Sequence, residues 1–264
     1  MQNGLSNSDS YEIQSVRKTF RLIECLSAAD EMSITELGNS IELNKGAIFR
    51  ILSTLRSLGY IEQNPANEKY RLGLKLFEIG SQVLIRLNEV QEAHNIMEQI
   101  AQETQETVHL ATLREGYVVY LDKIDSKHVL RIFSRVGNRA PCYCTGVGKA
   151  LLAWLPEEEI SRIMKMQKIV KYTENTITTV KELKKELKKI RMQGYSEDNQ
   201  EHQQGIRCIA APIRNRAGKV VAAISITYPE IRNSEEIKEN YKALILKAGE
   251  QISNRLGLET PGFR

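Results

Sequence analysis

The stretch Thr145-Gly-Val-Gly-Lys149 precedes the apolar run Ala150-Leu-Leu-Ala-Trp154. Glycines at a helix start leave bare backbone N–H groups open to an anion, and the helix dipole favours the charge. The GxxxxGK[ST] spacing of a phosphate-binding loop is absent, and a tight turn into a helix accounts for the same residues. A second group comprises Asp198 with Glu201, Cys208 on one strand, and Ser225 and Thr227 on its neighbour. Ser225 and Thr227 are two apart, so on a strand they share a face. Hydroxyls on an otherwise apolar strand need partners when buried, from the backbone or from a ligand. Cys142-Tyr-Cys144, with Cys208 and His109, raises zinc, but no second close cysteine pair supports it. A nucleophilic Cys208 would need a histidine base, and spacing alone places none of His109, His128 and His202. The expectation is therefore no catalytic residue, no cofactor and no metal.

Charge points to a different chemistry near the N-terminus. Residues 1–87 hold 10 Lys and Arg against 10 Asp and Glu, yet residues 43–61 contain Lys45, Arg50 and Arg56 and no acid. Local charge decides contact with phosphate. The elements that would position these cations follow from pattern. Val16, Phe20, Ile23 and Leu26 predict a helix starting at Ser15. Ser33-Ile-Thr-Glu36 fits a capping box for a short second helix, with Ile34, Leu37 and Ile41 inward. Asn44 caps a third, whose stripe is Ile48, Ile51, Leu52, Leu55 and Leu58, and Gly59 suits a left-handed end. Residues 60–63 and 68–72 flank the turn Asn64-Pro-Ala-Asn67, a hairpin. Three helices and a two-stranded wing make a winged helix-turn-helix, with the basic third helix fit for a major groove. A solvated helix in an ordinary small domain would show the same residues one at a time; their order favours DNA.

Beyond the wing, residues 74–87 and 89–105 are again helix-periodic. Runs 107–113, 117–124, 129–133, 206–213 and 219–227 read as strands. Helices are expected after Thr145, from Pro156-Glu-Glu-Glu159, over 181–193 and over 235–256. The mixture predicts an α+β fold: a disordered tail at 1–14, a winged helix-turn-helix DNA-binding domain at 15–73, a linker helix at 74–88 and a GAF-like α/β effector domain at 89–264. No apolar run reaches the ~18 residues of a membrane span, the longest being Val220 to Ile226. The start lacks the pattern of a secretory signal, and four cysteines in 264 residues argue against a disulfide scaffold. The expected place is the cytoplasm, with no membrane partner.

The stretch Gly194-Tyr-Ser-Glu-Asp198-Asn-Gln-Glu201-His-Gln-Gln-Gly-Ile-Arg-Cys208-Ile-Ala-Ala-Pro-Ile213 resembles the C-terminal signature of the IclR family of bacterial transcriptional regulators, departing from it at Arg214. Lys69 to Glu78, Lys123 to Ser126, Ser134 to Arg139, Gly148 to Trp154, Thr173 to Thr178 and Ser225 to Pro229 are similar to a subgroup governing sugar-acid catabolism. The resemblance implies a repressor that binds a pseudo-palindromic operator in double-stranded DNA as a dimer or dimer of dimers. It implies a small organic-acid effector, 2-keto-3-deoxygluconate, or else pyruvate, glyoxylate or an aromatic acid with either sign of regulation. The implied effector positions are Gly146 and Val147 through backbone amides, with Asp198, Cys208, Ser225 and Thr227. The implied DNA positions are Thr35, Asn44, Lys45, Gly46, Ala47, Phe49, Arg50 and Lys69. Gly46 and Ala47 stand where Ser and Thr are common, which removes two hydroxyls from the recognition helix.

Overall fold

The computed structural model describes residues 12–41, 43–85, 87–128 and 134–258. The chain divides into two compact units, Met1–Leu84 and Ile85–Arg264. The first contains α1 (Gln14–Ser27), α2 (Ile34–Ile41), α3 (Lys45–Ser57), the antiparallel pair β1 (Ile61–Gln63) and β2 (Tyr70–Leu72), and all but the last residue of α4 (Leu74–Ile85). Local chemistry sets its boundaries. The Ser33 N–H donates to Glu36 Oε2 at 2.6 Å while the Glu36 N–H donates to Ser33 Oγ at 3.3 Å, the reciprocal capping box. Asn44 Oδ1 accepts from the Ala47 N–H at 2.8 Å and starts α3. Gly59, at φ +79°, turns the chain from α3 into the wing. Leu22, Leu26, Leu37, Ile48, Leu52, Leu55, Ile61 and Tyr70 form the core.

Three sequence expectations change here. On α1 the inward face is Leu22 and Leu26, while Val16 and Phe20 are 48% and 60% exposed. The first two turns of α1 contribute nothing to the three-helix core among the described residues. Leu58, expected inside, caps α3 at 57% exposure. The expected linker helix at 74–88 ends at Ile85, and Leu87 is extended as the N-cap of the next helix. The expected strand at 129–133 and nearly all of the N-terminal tail lie outside the described residues.

The second unit is a six-stranded antiparallel sheet, order β5-β4-β3-β8-β7-β6, with helices on both faces. Its strands are β3 (Thr107–Arg114), β4 (Tyr117–Ile124), β5 (Arg139–Pro141), β6 (Ser196–Asn199), β7 (Ile206–Arg214) and β8 (Val220–Pro229). The central strands alternate. Val108, Leu110, Ile209, Ala211, Ile224 and Ile226 point to one side, with α5 (Asn88–Thr104) and α9 (Glu235–Arg255). Ala111, Cys208, Ala210 and Ala223 point to the other, with α6 (Gly146–Leu152), α7 (Glu157–Met166) and α8 (Val180–Gln193). The small side chains on this second face let α6 approach the sheet closely. β5 and β6 were not anticipated from sequence. Among the described residues no helix is long and apolar enough to cross a membrane.

Candidate functional site

The register of β6, β7, β8 and β3 assembles a cavity of about 250 Å³ beside the start of α6. Asp198 pairs with Cys208 across β6 and β7, Cys208 with Thr227 across β7 and β8, and Ser225 with His109 across β8 and β3. Directly paired residues share a face, so one wall collects these side chains. All six expected effector positions, Gly146, Val147, Asp198, Cys208, Ser225 and Thr227, line the cavity.

The start of α6 supplies donors. N-terminal N–H groups of a helix have no intrahelical partner, and the N-cap Thr145 does not satisfy them, because its hydroxyl donates instead to the Pro141 carbonyl at 2.7 Å. The two glycines have steric reasons. A Cβ on Gly146 would lie 2.6 Å from Cys208 Sγ, and one on Gly148 only 2.4 Å from the Cys142 carbonyl oxygen. Tight packing thus accounts for both glycines, and it is what brings the α6 amides to the cavity.

Asp198 is 6% exposed and accepts the Glu201 N–H at Oδ1, 2.6 Å away. Burial pushes its carboxyl up to about 7, with the Glu201 charge adding to the effect and Lys149 opposing it. Lys149, fully buried on α6, is in contact with Glu201 Oε1, and Glu186 lies 3.8 Å off. Glu201 Oε2 has no hydrogen-bond partner among the described residues. This pair pins the loop after β6 to α6. Sequence reasoning missed it, because a lysine inside Gly148 to Trp154 reads as a solvated residue.

From sequence, His109 reads only as a metal ligand or base. It lines the cavity, buried, with Nε2 2.7 Å from Ser134 Oγ and Nδ1 3.3 Å from Thr227 Oγ1. Burial, with Lys123 nearby, drops its pKa to about 3, so the ring is neutral. Tyr120 packs against it at 4.9 Å between centroids. Asn138, Arg139, His202 and Gln203 complete the lining with polar side chains, which sequence pattern gave no means to place. Burial pushes the Cys208 thiol up to about 11 and the Cys142 thiol up to about 12, which opposes a nucleophilic thiolate. Among the described residues no three His, Cys, Asp or Glu side chains group as a metal site.

In the first unit, Lys45, Gly46, Phe49 and Arg50 are exposed on α3. They fall at i, i+1, i+4 and i+5, a single face, opposite the buried Ile48, Leu52 and Leu55. Asn44 and Thr35 are exposed at the starts of α3 and α2, and Ala47 is half-buried. Lys69 on the wing is half-buried and paired with Glu36 at 3.4 Å. Arg56 is drawn to the wing by Gln63 Oε1 at 2.5 Å.

The IclR helix-turn-helix domain matches residues 15–65, and the bacterial transcriptional regulator IclR C-terminal domain matches residues 81–254. The chain belongs to the IclR family. The HTH-type transcriptional regulator KdgR of Dickeya chrysanthemi is 41% identical over 93% of this chain and 80% of its own length. KdgR of Escherichia coli (strain K12) is 39% identical over 97% of this chain and 98% of its own. The crystal structure of the Thermotoga maritima IclR matches with a TM-score of 0.76 at 32% identity, covering 93% of this chain and all of that one. This IclR-family chain is accordingly a DNA-binding transcriptional regulator and not an enzyme. In IclR-family terms its α3 belongs to the helix-turn-helix part and its cavity to the C-terminal part.

Proposed function

We propose that this regulator represses genes of sugar-acid catabolism and is released from its operator by a six-carbon keto acid, 2-keto-3-deoxygluconate. The observation that carries this reading is the make-up of the cavity. The open amides of α6 suit a carboxylate, and the hydroxyls of Ser225 and Thr227 donate to the carboxylate or the adjacent carbonyl. Asp198, Asn138, His202 and Gln203 serve the hydroxyls of a longer acid. The cavity also has the room: 250 Å³ is the share of about eight liquid waters, more than a three-carbon acid fills. The similarity to two KdgR proteins supports the same subgroup.

Residues 15–73 hold the DNA, with Lys45 and Arg50 reaching the groove. The regulator works as a dimer or a dimer of dimers. Two apolar faces exposed among the described residues support this, Ile13, Val16 and Phe20 at the start of α1 and Leu74, Phe77 and Val83 on α4, each residue at least 48% exposed. The effector acts by linkage: it binds more tightly to the arrangement that holds DNA poorly, and weakens DNA affinity by that same differential.

The test is a gel-shift titration on the chain's own upstream DNA with 2-keto-3-deoxygluconate beside pyruvate and gluconate. Ser225→Ala and Asp198→Ala each leave buried polar atoms without partners, worth about 1–3 kcal/mol. Each should raise the effector concentration for half-release by roughly 5–150-fold. Lys45→Ala or Arg50→Ala should instead weaken DNA binding itself by about 1–3 kcal/mol. A wild-type complex indifferent to all three acids refutes the effector class. Unshifted titrations in both cavity variants refute the cavity.

A further inference from the structure

A second cavity, of about 460 Å³, lies at the opposite end of α6. The first cavity meets this helix at Gly146 and Val147; the second meets it at Leu151 and at Trp154, just past its C-terminus. The Arg214 guanidinium carbon sits 3.8 Å from the centroid of the Trp154 ring, a geometry that holds the cation by its attraction to the π face. One of its N–H groups donates to the Gly218 carbonyl at 2.9 Å. Among the described residues no carboxylate pairs with Arg214 or with Lys219, which lines the same cavity. The Trp154 Nε1–H is buried and has no acceptor among the described residues. Burial also holds the Arg214 pKa below its ordinary value.

We infer that this cavity is a second small-molecule site, for a carboxylate carried on an apolar body. Indole, guanidinium and ammonium groups only donate. Arg214 and Lys219 both line the cavity without a carboxylate partner among the described residues, and a carboxylate carried into it would pair with them by charge-assisted hydrogen bonds. The one acid on the lining, Glu159, lies 3.7 Å from Arg162 and is partly neutralised by it. Leu151 and Val220 supply apolar walls, which a bare inorganic oxyanion would leave unfilled. Because α6 runs from one cavity to the other, an occupant here bears on the helix whose first amides face the proposed effector. The inference stands whether or not the effector assignment holds.

The chain has a single tryptophan, and it lies on this cavity, so its emission follows the site directly. The experiment titrates the full-length protein with benzoate, following Trp154 fluorescence and, in parallel, heat by calorimetry. Saturable binding is expected in wild type and in Ser225→Ala, with half-points within about twofold of each other. Arg214→Met should weaken binding about tenfold or more, the usual scale for losing a charge-assisted pair. Lys219→Met, a change at an exposed side chain that leaves folding intact, should weaken it roughly threefold or more. Inorganic phosphate should bind about tenfold more weakly than benzoate. Absence of both saturable emission change and heat overturns the inference. So does binding that Arg214→Met and Lys219→Met leave unchanged, or phosphate binding as tight as benzoate.

Discussion

Replacing Gly146 by alanine should uncouple the effector from DNA release, and the structure says how it could be recovered. The added Cβ would lie 2.6 Å from Cys208 Sγ, about 0.8 Å inside the 3.4 Å where ordinary contact begins. Cys208 is short and buried, so it cannot swing aside; the start of α6 must retreat from β7. Overpacking of this kind costs about 1–3 kcal/mol. The displaced atoms are the α6 amides that the proposed carboxylate uses, and hydrogen bonds weaken steeply with distorted geometry. The effector concentration for half-release should therefore rise roughly 5–150-fold. Changing Cys208 to alanine in the same chain removes Sγ. The nearest remaining atom is then the residue 208 Cβ, at 3.3 Å, only slightly tight. The double variant should return to within about threefold of wild type, a coupling of about 1–3 kcal/mol between the sites. Gly148→Ala is the control that no such change can rescue, since its obstacle is the Cys142 backbone at 2.4 Å. Gel-shift titration gives the half-release point, and thermal unfolding without effector shows whether the unit is folded. If Gly146→Ala fails and Cys208→Ala does not restore it, the contact is not the cause and the reasoning is refuted.

Two further outcomes are expected. Asp198 carries a pKa raised from 3.8 to about 7; its stabilising contribution is present below pH 3.8 and lost as pH rises to about 7. A bound carboxylate favours the protonated form, so effector affinity should fall by up to about 20-fold between pH 6.5 and 8.5, and calorimetry on Asp198→Asn should show no such slope. Asn44→Ala removes the cap of α3 and should cost the first unit about 0.5–2 kcal/mol in denaturant unfolding. Asn44→Asp keeps the cap, and should leave stability intact while weakening operator binding through repulsion of phosphate.

The first unit was legible because its signals are local. A capping box, an Asn cap and an Asn-Pro turn each involve residues within four positions, and all three stand in the structure. The error on α1 has the same origin. Periodicity shows that Val16, Phe20 and Leu26 can share a face, but not where the core along that face stops. β5 and β6 are not legible because they are three and four residues long and lack an apolar alternation, Arg139-Ala-Pro141 and Ser196-Glu-Asp-Asn199. Their strand character comes from β4 and β7, which pair with them across the sheet.

The candidate site was half legible for a related reason. Ser225 and Thr227 could be put on one face by counting, and the glycines at a helix start by type. No counting could set Asp198 opposite Cys208 or bring His109 to Thr227; those depend on register between distant strands. Lys149 shows the limit most clearly. Its partner Glu201 is 52 positions away, and a buried lysine is tolerable only with such a partner. Burial is the main force raising the Asp198 pKa, and the Glu201 carboxylate held beside it by Lys149 adds to the rise, because like charges disfavour each other, with Lys149 opposing. Asp198 therefore holds its proton toward neutral pH and can donate as well as accept. The character of the cavity wall is thus set partly by a side chain that does not line it.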